Sequence, residues 1–377
     1  MSLLIKNARL VLKDKVAQGN LLIKNNLIAQ VDFSGTDLMG KNLDSEWKEL
    51  EATGLYLLPG FIDIHYHGLF IFPSPERIEK DLLRMADMLL KRGVLGFLAC
   101  FPACEVELLC DCLNSLKEAQ GKLPKISSRL LGVYLEGPFL SKSAKGAQPE
   151  QAILDYDPQE AVLDKILSAG SGLIKVMTIA PEKPYAKELV EVLLEHNIKP
   201  ALGHTKASYE IALKFCDLGA CHLTHLFNAM SGIHHRTPGV ALAGLIDERF
   251  TKEVIVDGYH LHPAVVRLIW RLSPIDRFIL ITDFVGDEEP FDEKPPMINE
   301  HTLAGSRLRL IRAIKNLMRF VGAELNEAVA CASANPARFL GEESRGEIEK
   351  GFQAELVLAD ENLEVKKIII GEEVVEV

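Results

Sequence analysis

Residues 58–68 read Leu-Pro-Gly-Phe-Ile-Asp-Ile-His-Tyr-His-Gly, an apolar run that ends in two histidines separated by one residue. The run predicts a buried β-strand, and side chains two residues apart on a strand point to the same face. The imidazoles of His65 and His67 are therefore expected to project together from the end of this strand. Imidazole pairs commonly bind Zn, Fe, Mn or Ni ions, although a His-x-His pair is also an ordinary surface feature. The ends of the other strands decide between these interpretations.

Seven further apolar runs of strand length follow, and helical patterns separate most of them. The predicted strands are 57–64, 94–100, 129–135, 174–179, 199–202, 220–224, 253–256 and 277–282, and the predicted helices include 78–91, 105–119, 185–196, 209–216, 263–272, 306–320 and 325–332. Strands that alternate with helices indicate a parallel sheet, and eight strands close a (β/α)8 TIM-type barrel. An open doubly wound sheet is the alternative, but it normally has a glycine-rich loop after its first strand, which this chain lacks.

The two ends of the chain have a different pattern. Short strands are predicted at 3–12 and 21–31, around a turn at 18–20, and again at 355–359, 367–370 and 374–375. This pattern predicts a small β-sandwich domain formed by both chain ends. The expected domains are residues 1–58 plus 345–377 for the small one and residues 59–344 for the catalytic barrel.

Composition limits the classes of protein to which the chain can belong. With 377 residues, of which 48% are hydrophobic and 25% charged, the chain is expected to form a soluble protein with a large core. A formal net charge of -11 argues against nucleic acid or an anionic membrane as partner. No apolar run is long enough to span a bilayer and no signal-peptide pattern begins the sequence, so a cytoplasmic location is expected.

Seven cysteines are scattered along the chain without a Cys-x-x-Cys motif. Their odd number and spacing favour reduced thiols over a disulfide framework. Cys100 and Cys104 form a weak candidate for a metal-binding pair, and buried thiols of the core are the favoured interpretation.

Catalytic residues of a TIM-type barrel lie at the carboxyl ends of its strands. Imidazoles end three of the predicted strands and carboxylates end two others. These residues are His65 and His67 on strand one, Glu136 on strand three, His204 on strand five, His225 on strand six and Asp283 on strand eight. Each has a structural explanation when taken singly, such as a capping aspartate or a buried histidine. Their convergence on one rim predicts a metal site.

Several of these segments resemble the amidohydrolase superfamily and, within it, the N-acetylglucosamine-6-phosphate deacetylases. The resemblance rests on the strings at 59–68, 135–139, 203–205, 225–230 and 257–260, and it continues through 335–338 to 346–351, nearly the whole chain. It implies hydrolysis of the acetamido group of N-acetyl-D-glucosamine 6-phosphate to D-glucosamine 6-phosphate and acetate, in amino-sugar catabolism. It also implies a homodimer.

The resemblance implies a role for each residue at the strand ends. Glu136, His204 and His225 would bind the principal divalent metal, and Asp283 would act as general base. His65 and His67 would contribute to a second metal position, bridged by Glu136 or by water. One or two ions per chain are expected, and the ligands suit Zn, Fe, Mn or Ni.

The sugar phosphate would be bound by a further set of residues, again by resemblance. That set contains Ala147, Asn228, Ala229, Arg236, His260, Leu303, Ala304 and Gly305. A planar guanidinium suits a phosphate, although Arg236 could also be a solvated loop arginine. Gln148 stands where some relatives have a histidine near the acetyl carbonyl.

The segment after Asp283 departs from the family pattern. It is short, and its acidic run of Asp287, Glu288, Glu289, Asp292 and Glu293 is expected to be a solvated loop that bears on substrate choice.

Two other functions remain open. The first is another amide or cyclic-amide hydrolase on the same scaffold. A dihydroorotase-like enzyme would use a carbamylated lysine at the end of strand four, but Lys175 lies too early in that strand. A non-catalytic barrel would have lost ligands or base, and this chain keeps them.

Overall fold

The computed structural model describes residues 2–33, 47–287, 294–300 and 302–377. Its strands are β1 Ser2–Val11, β2 Val16–Lys24, β3 Leu27–Asp32, β4 Trp47–Glu51, β5 Tyr56–Pro59, β6 Phe61–Gly68, β7 Val94–Pro102, β8 Arg129–Glu136, β9 Ile174–Ile179, β10 Lys199–Leu202, β11 His222–Leu223, β12 Thr251–Val254, β13 Phe278–Leu280, β14 Phe284–Val285, β15 Met297–Asn299, β16 Thr302–Leu303, β17 Glu355–Ala359, β18 Val365–Ile370 and β19 Glu373–Glu376. Its α-helices are α1 Ile78–Lys91, α2 Val106–Gln120, α3 Val162–Ala169, α4 Ala186–Glu195, α5 Tyr209–Asp217, α6 Val240–Ile246, α7 Pro263–Leu272, α8 Leu310–Val321, α9 Leu325–Ala330 and α10 Ala334–Leu340.

The larger sheet is a closed parallel barrel. Its strand order is β13-β12-β11-β10-β9-β8-β7-β6-β14, and β6 to β13 correspond to the eight strands expected from the sequence. The chain continues from β13 into β14, which pairs in parallel with β6, so the last strand closes the ring onto the first. The fold is therefore the predicted TIM-type barrel.

Burial explains why these segments form a barrel. All residues of β6 and β7 are buried, as expected for strands covered by helices on one face and by the barrel interior on the other. In α1 the buried apolar residues include Ile78, Leu82, Met85 and Leu89, at spacings of three and four. That spacing places one stripe of the helix against the strands.

The small domain contains a single hydrogen-bonded sheet made from both chain ends. Its order is β19-β18-β17-β5-β1-β2-β3, and β4 pairs with the first half of β1. Strands near both edges supply side chains to one cluster, among them Ile28 of β3 and Ile369 of β18. The sheet must therefore bend around its own core, which gives the layered arrangement expected of the end domain.

Alternate residues of β5 and β17 connect this domain to the barrel. Leu57 and Leu358 face the small core, whereas their neighbours Leu58 and Val357 belong to the core of the barrel. The two cores therefore share these strands, and the domain limits remain our proposal: residues 1–58 plus 345–377 and residues 59–344.

The turn predicted at 18–20 is wrong, because β2 runs without a break through these residues. A Cβ on Gly19 would lie 2.6 Å from the backbone oxygen of Asp32. The glycine thus allows close approach of two strands rather than a turn, and the chain reverses at 12–15 instead.

The expectation of reduced cysteines is wrong for one pair. Cys216, in α5, and Cys221, just before β11, form a disulfide. Their spacing of five residues carries no sequence signal of pairing, since the contact arises only because the chain turns between helix and strand. Cys100, Cys104, Cys110, Cys112 and Cys331 are free.

Among the described residues, no helix is both long and apolar enough to cross a membrane.

Lys252 is a fully buried lysine whose replacement by Met is expected to stabilise the protein. Its side chain points away from Glu253 on β12, and its Nζ has no hydrogen-bond partner among the described residues. Burial, assisted by the positive charge of Arg277, lowers the pKa of Lys252 to about 8. The lysine binds its proton more weakly in the folded state, so at pH 7 its charge destabilises the fold, and this cost fades as pH rises from about 8 through the unfolded pKa.

We expect Lys252→Met to raise the free energy of unfolding by about 1–3 kcal/mol at pH 7 and by less at pH 10. Urea unfolding at both pH values measures the difference. Lys214→Met, on the exposed face of α5, is the matched control and should change little. A gain at pH 10 as large as that at pH 7 would contradict the role of the charge.

Candidate metal centre and active site

The predicted site residues lie at one rim of the barrel. His65 and His67 are in β6, and Glu136 is the last residue of β8. His204 and His225 each lie two residues beyond a strand end, and Asp283 lies between β13 and β14. All six residues are buried.

Glu136 is the centre of this group. Its Oε1 lies 2.8 Å from Nε2 of His204 and 2.7 Å from Nε2 of His225. Its Oε2 lies 3.2 Å from Nε2 of His67, and Nε2 of His65 is 4.0 Å from Oε1. One carboxylate is thus in reach of all four imidazoles, which come from three different strands.

Hydrogen bonds at Nδ1 fix the orientation and the tautomer of two of these imidazoles. Nδ1 of His204 donates to the carbonyl of Ala144 at 2.9 Å, and Nδ1 of His67 donates to the carbonyl of Cys100 at 3.1 Å. A neutral ring protonated at Nδ1 carries a lone pair at Nε2. That lone pair faces a carboxylate oxygen in both cases, so a cation, either a ring proton or a metal ion, must lie between the two acceptors.

Two buried ring nitrogens have no hydrogen-bond partner among the described residues. They are Nε2 of His65 and Nδ1 of His225. An unsatisfied polar atom in a buried site is costly, and a metal ion would satisfy the nitrogen of His65. Two overlapping sets of donor atoms could hold such an ion, each with its atoms within 4.8 Å of one another. They are Glu136, His204 and His225, and His65, His67, Cys100 and Glu136. Nitrogen and oxygen donors in this arrangement fit a divalent metal.

The electrostatics of the site favour ionised carboxylates. Burial alone would raise the pKa of Glu136, but the charge of His204 and hydrogen bonds from His204, His225 and His67 hold that pKa well below its usual range. Burial likewise opposes ionisation of Asp283, and a hydrogen bond from His67 with the charges of both β6 histidines lowers its pKa. The carboxylates of Glu136 and Asp283 are therefore ionised in the site and act as hydrogen-bond acceptors.

Asp283 lies beside the β6 histidines. Its Oδ1 is 3.3 Å from Nε2 of His67 and 3.7 Å from Nε2 of His65. Its backbone N–H donates to the carbonyl of His65 at 3.0 Å, which ties the end of the last strand to the first.

Asp283 also has a left-handed backbone, with φ of 50°, and it shares this with His204 at 45° and His225 at 27°. Such strained conformations of non-glycine residues concentrate at functional sites.

Glu253 is a buried residue of the site that sequence reasoning missed. Its Oε2 accepts from Nδ1 of His65 and from the backbone N–H of His225, each at 3.0 Å, and its Oε1 lies 3.0 Å from Nε2 of His222. A carboxylate that holds the second nitrogen of a metal-binding histidine fixes its tautomer and orientation. The available signal was a charged residue at the start of an apolar strand.

Several predicted substrate residues lie next to this cluster. A Cβ on Gly146, which precedes Ala147, would lie 3.3 Å from both Ala229 and His204. Asn228 donates from its side chain to the carbonyl of His225 at 3.2 Å.

Leu303 and Ala304 directly precede Gly305 in the sequence. A Cβ on Gly305 would lie 2.7 Å from the backbone oxygen of Asp283, so this segment runs directly beside the predicted base.

Other predicted residues are placed apart or differently. The Arg236 guanidinium is exposed and donates to Nε2 of His235 at 2.8 Å, and no described contact joins it to the buried cluster. The ring of His260 donates to Asp257 at 2.6 Å. Gln148 does not point freely at a substrate carbonyl, because its amide nitrogen donates to Glu136 and its oxygen accepts from the backbone of Ala103.

The segment after Asp283 is only partly described. The carboxylate of Asp287 pairs with Arg84 at 2.6 Å. Glu288, Glu289, Asp292 and Glu293 lie outside the described residues.

Lys175 is the second residue of β9 and thus lies far from its carboxyl end. This agrees with the argument against a bridging carbamylated lysine.

Comparison with known proteins agrees with this geometry. Residues 56–375 match the amidohydrolase family. The N-acetylglucosamine-6-phosphate deacetylase of Lysinibacillus sphaericus is 31% identical over 96% of this chain and 95% of its own length. The N-acetylgalactosamine-6-phosphate deacetylase of Escherichia coli O157:H7 is 31% identical over 83% of this chain and 86% of its own.

The crystal structure of N-acetylglucosamine-6-phosphate deacetylase from Thermotoga maritima superposes with a TM-score of 0.84 at 30% identity, covering 98% of this chain and 99% of that one. The barrel and its cluster of His and Glu residues define a metal-dependent hydrolase. This chain belongs to the amidohydrolase family.

Proposed function

We propose that this protein hydrolyses the acetamido group of N-acetyl-D-glucosamine 6-phosphate to D-glucosamine 6-phosphate and acetate. The observation that carries the proposal is the arrangement of four imidazoles around Glu136 with Asp283 beside them. Relatives that bear the name of this activity match almost the whole chain. Acetate release from the phosphorylated sugar by the metal-loaded protein tests it.

Glu136, His204 and His225 are proposed to hold one divalent ion, and His65 and His67 a second that shares Glu136. Zn, Fe, Mn and Ni all suit such ligands. When bound, the metal supplies Lewis acidity toward water and the amide carbonyl. The buried histidines hold their Nε2 atoms toward it, because Nδ1 of each of His65, His67 and His204 is engaged by a protein acceptor.

Asp283 is proposed to take the proton from the attacking water and to pass it to the departing sugar amine. Its carboxylate lies at the same rim as Glu136 and is almost fully buried, so bulk water does not compete for its oxygens. A carboxylate transfers a proton only when it lies within hydrogen-bonding distance of the reacting group. The backbone hydrogen bond from Asp283 to His65 holds the base at the metal ligands of β6.

The sugar phosphate is proposed to bind at the rim, among three segments that lie next to the cluster. Ala147 follows β8, Asn228 and Ala229 follow β11, and Leu303 to Gly305 follow β15. Arg236 and His260 are proposed as phosphate donors. Within the described residues, the Arg236 guanidinium has only the ring of His235 as hydrogen-bond partner, so it is available to an anion.

Arg236→Ala is expected to raise KM for the phosphorylated sugar by about 10- to 100-fold, because a charged hydrogen bond to phosphate is lost. The unphosphorylated sugar should show almost no change, since it lacks the group that the guanidinium binds. Steady-state kinetics on both sugars measures the difference. Equal effects on the two substrates would contradict the phosphate role. Arg249→Ala, at an exposed ion pair with Asp217, is the control.

The galactosamine epimer is a second candidate substrate. The observation in its favour is the relative from Escherichia coli O157:H7, which is as similar in identity as the glucosamine enzymes and carries that name. The two sugars differ in the orientation of one hydroxyl group. A comparison of kcat/KM on the two 6-phosphates decides between them, and a higher value for the galactosamine derivative would replace our first assignment.

We further propose a cytoplasmic homodimer, on the resemblance to the deacetylases. Light scattering of the purified protein tests the oligomeric state.

A further inference from the structure

We propose that the thiol of Cys100 is a ligand of the second metal position, which is then formed by His65, His67, Cys100 and Glu136. The inference rests on the proposed metal dependence but assigns a ligand that the site would not otherwise contain. It also changes the chemical character of that position from a nitrogen and oxygen site to one with a sulfur donor.

Cys100 lies near the end of β7, the barrel strand between the strands that carry His65 and Glu136. It is fully buried. The donor atoms of the four residues lie within 4.8 Å of one another, which is close enough to surround one ion. The position of β7 in the ring places the sulfur between its partners, so no rearrangement of the backbone is required.

The backbone of the same residue also orients a neighbouring ligand. Its carbonyl accepts from Nδ1 of His67 at 3.1 Å, which leaves the lone pair of Nε2 for a metal. His65 is held in the same way by Glu253, and its buried Nε2 has no hydrogen-bond partner among the described residues. Two oriented imidazoles, one of which has an Nε2 without a hydrogen bond, therefore lie beside the sulfur of Cys100.

Chemistry favours this assignment over a plain core thiol. Two imidazoles, one thiolate and one carboxylate form a four-donor set of the kind that binds Zn tetrahedrally. A thiolate is a soft ligand, so this set favours Zn or Fe over Mn. The free cysteines Cys112 and Cys331 are also buried, but neither belongs to a group of metal-donor residues within the described part of the chain.

Cobalt substitution tests the proposal without measuring turnover. The protein is stripped with a chelator and titrated with Co²⁺, and metal analysis gives the number of ions bound. A sulfur ligand produces a thiolate-to-cobalt charge-transfer band in the near-ultraviolet. We expect this band in the unmodified protein at two bound ions, and we expect Cys100→Ser to lose both the band and one equivalent of cobalt. Cys104→Ser, four residues away on the same segment, should keep both.

The cobalt experiment tests the ligand assignment independently of the proposed deacetylase activity. A band that disappears only in Cys100→Ser supports the ligand assignment even if no acetate is released from any sugar. Absence of the band in the unmodified protein, or its persistence in Cys100→Ser, overturns it. Should Cys100→Ser fail to fold, single replacements of Cys104, Cys110, Cys112 and Cys331 by Ser assign the sulfur by elimination, because each must then keep the band.

Discussion

Asp283→Asn is expected to lower kcat by roughly 10³-fold or more while the metal content of the protein stays unchanged. The amide keeps the size and shape of the carboxylate but cannot accept the proton of the attacking water. The four imidazoles and Glu136 are untouched, so the ligands remain. Acetate-release kinetics and metal analysis on the same preparation measure both quantities.

The control is Asp287→Asn, in which a partly exposed carboxylate paired with Arg84 is neutralised on the same segment of chain. It should leave kcat within about twofold, since surface ion pairs contribute little. Turnover by Asp283→Asn close to that of the unmodified protein would remove Asp283 as the base. Loss of metal together with activity would instead make it a ligand.

Glu136→Gln is expected to remove most of the bound metal and to reduce activity by roughly 10³-fold or more. This carboxylate lies within 3.2 Å of Nε2 of His67, His204 and His225, and it belongs to both sets of metal-donor residues. Its replacement by a neutral amide takes away the negative charge that both proposed ions share. Metal analysis after desalting measures the loss.

A loss of both ions would distinguish Glu136 from the other ligands. His225→Ala, which removes a ligand of one set only, should retain the ion at the other set. Glu150→Gln, at an exposed pair with Lys145, is the control and should keep full metal content. Retention of both ions in Glu136→Gln would show that the carboxylate is not shared.

The barrel and the residues at its rim could be predicted because both depend on local pattern. Each barrel strand is an apolar run, and His204, His225 and Asp283 follow such runs directly. Strand ends of a parallel barrel meet at one rim, so their position along the sequence predicts their position in space.

Glu253 could not be predicted, because its partner His65 is 188 residues away and no local pattern joins them. Cys100 was only a weak metal candidate, paired with Cys104, since a single cysteine in an apolar strand is the pattern of a core thiol; its grouping with His65, His67 and Glu136 depends on strands distant in sequence. Gly19 led to the opposite error. Glycine is common in turns, so a turn was predicted, but here the glycine is needed because two strands approach each other closely. In each case the outcome depends on which distant segment lies opposite, and that information is not local.

Closure of the barrel by β14 and β6 has a consequence for the order in which a working enzyme appears during synthesis. Thr282 donates to the buried carboxylate of Asp63 at 2.6 Å across 219 residues of chain, and Asp283 is bonded to His65 beside it. The histidines of β6 leave the ribosome long before Asp283. A chain stopped before its eighth strand would thus carry the four histidines of the site and Glu136 but not the base, which arrives only when the ring is joined. Contacts of such long sequence separation form slowly, so the metal ligands are in place before the site is able to catalyse the reaction.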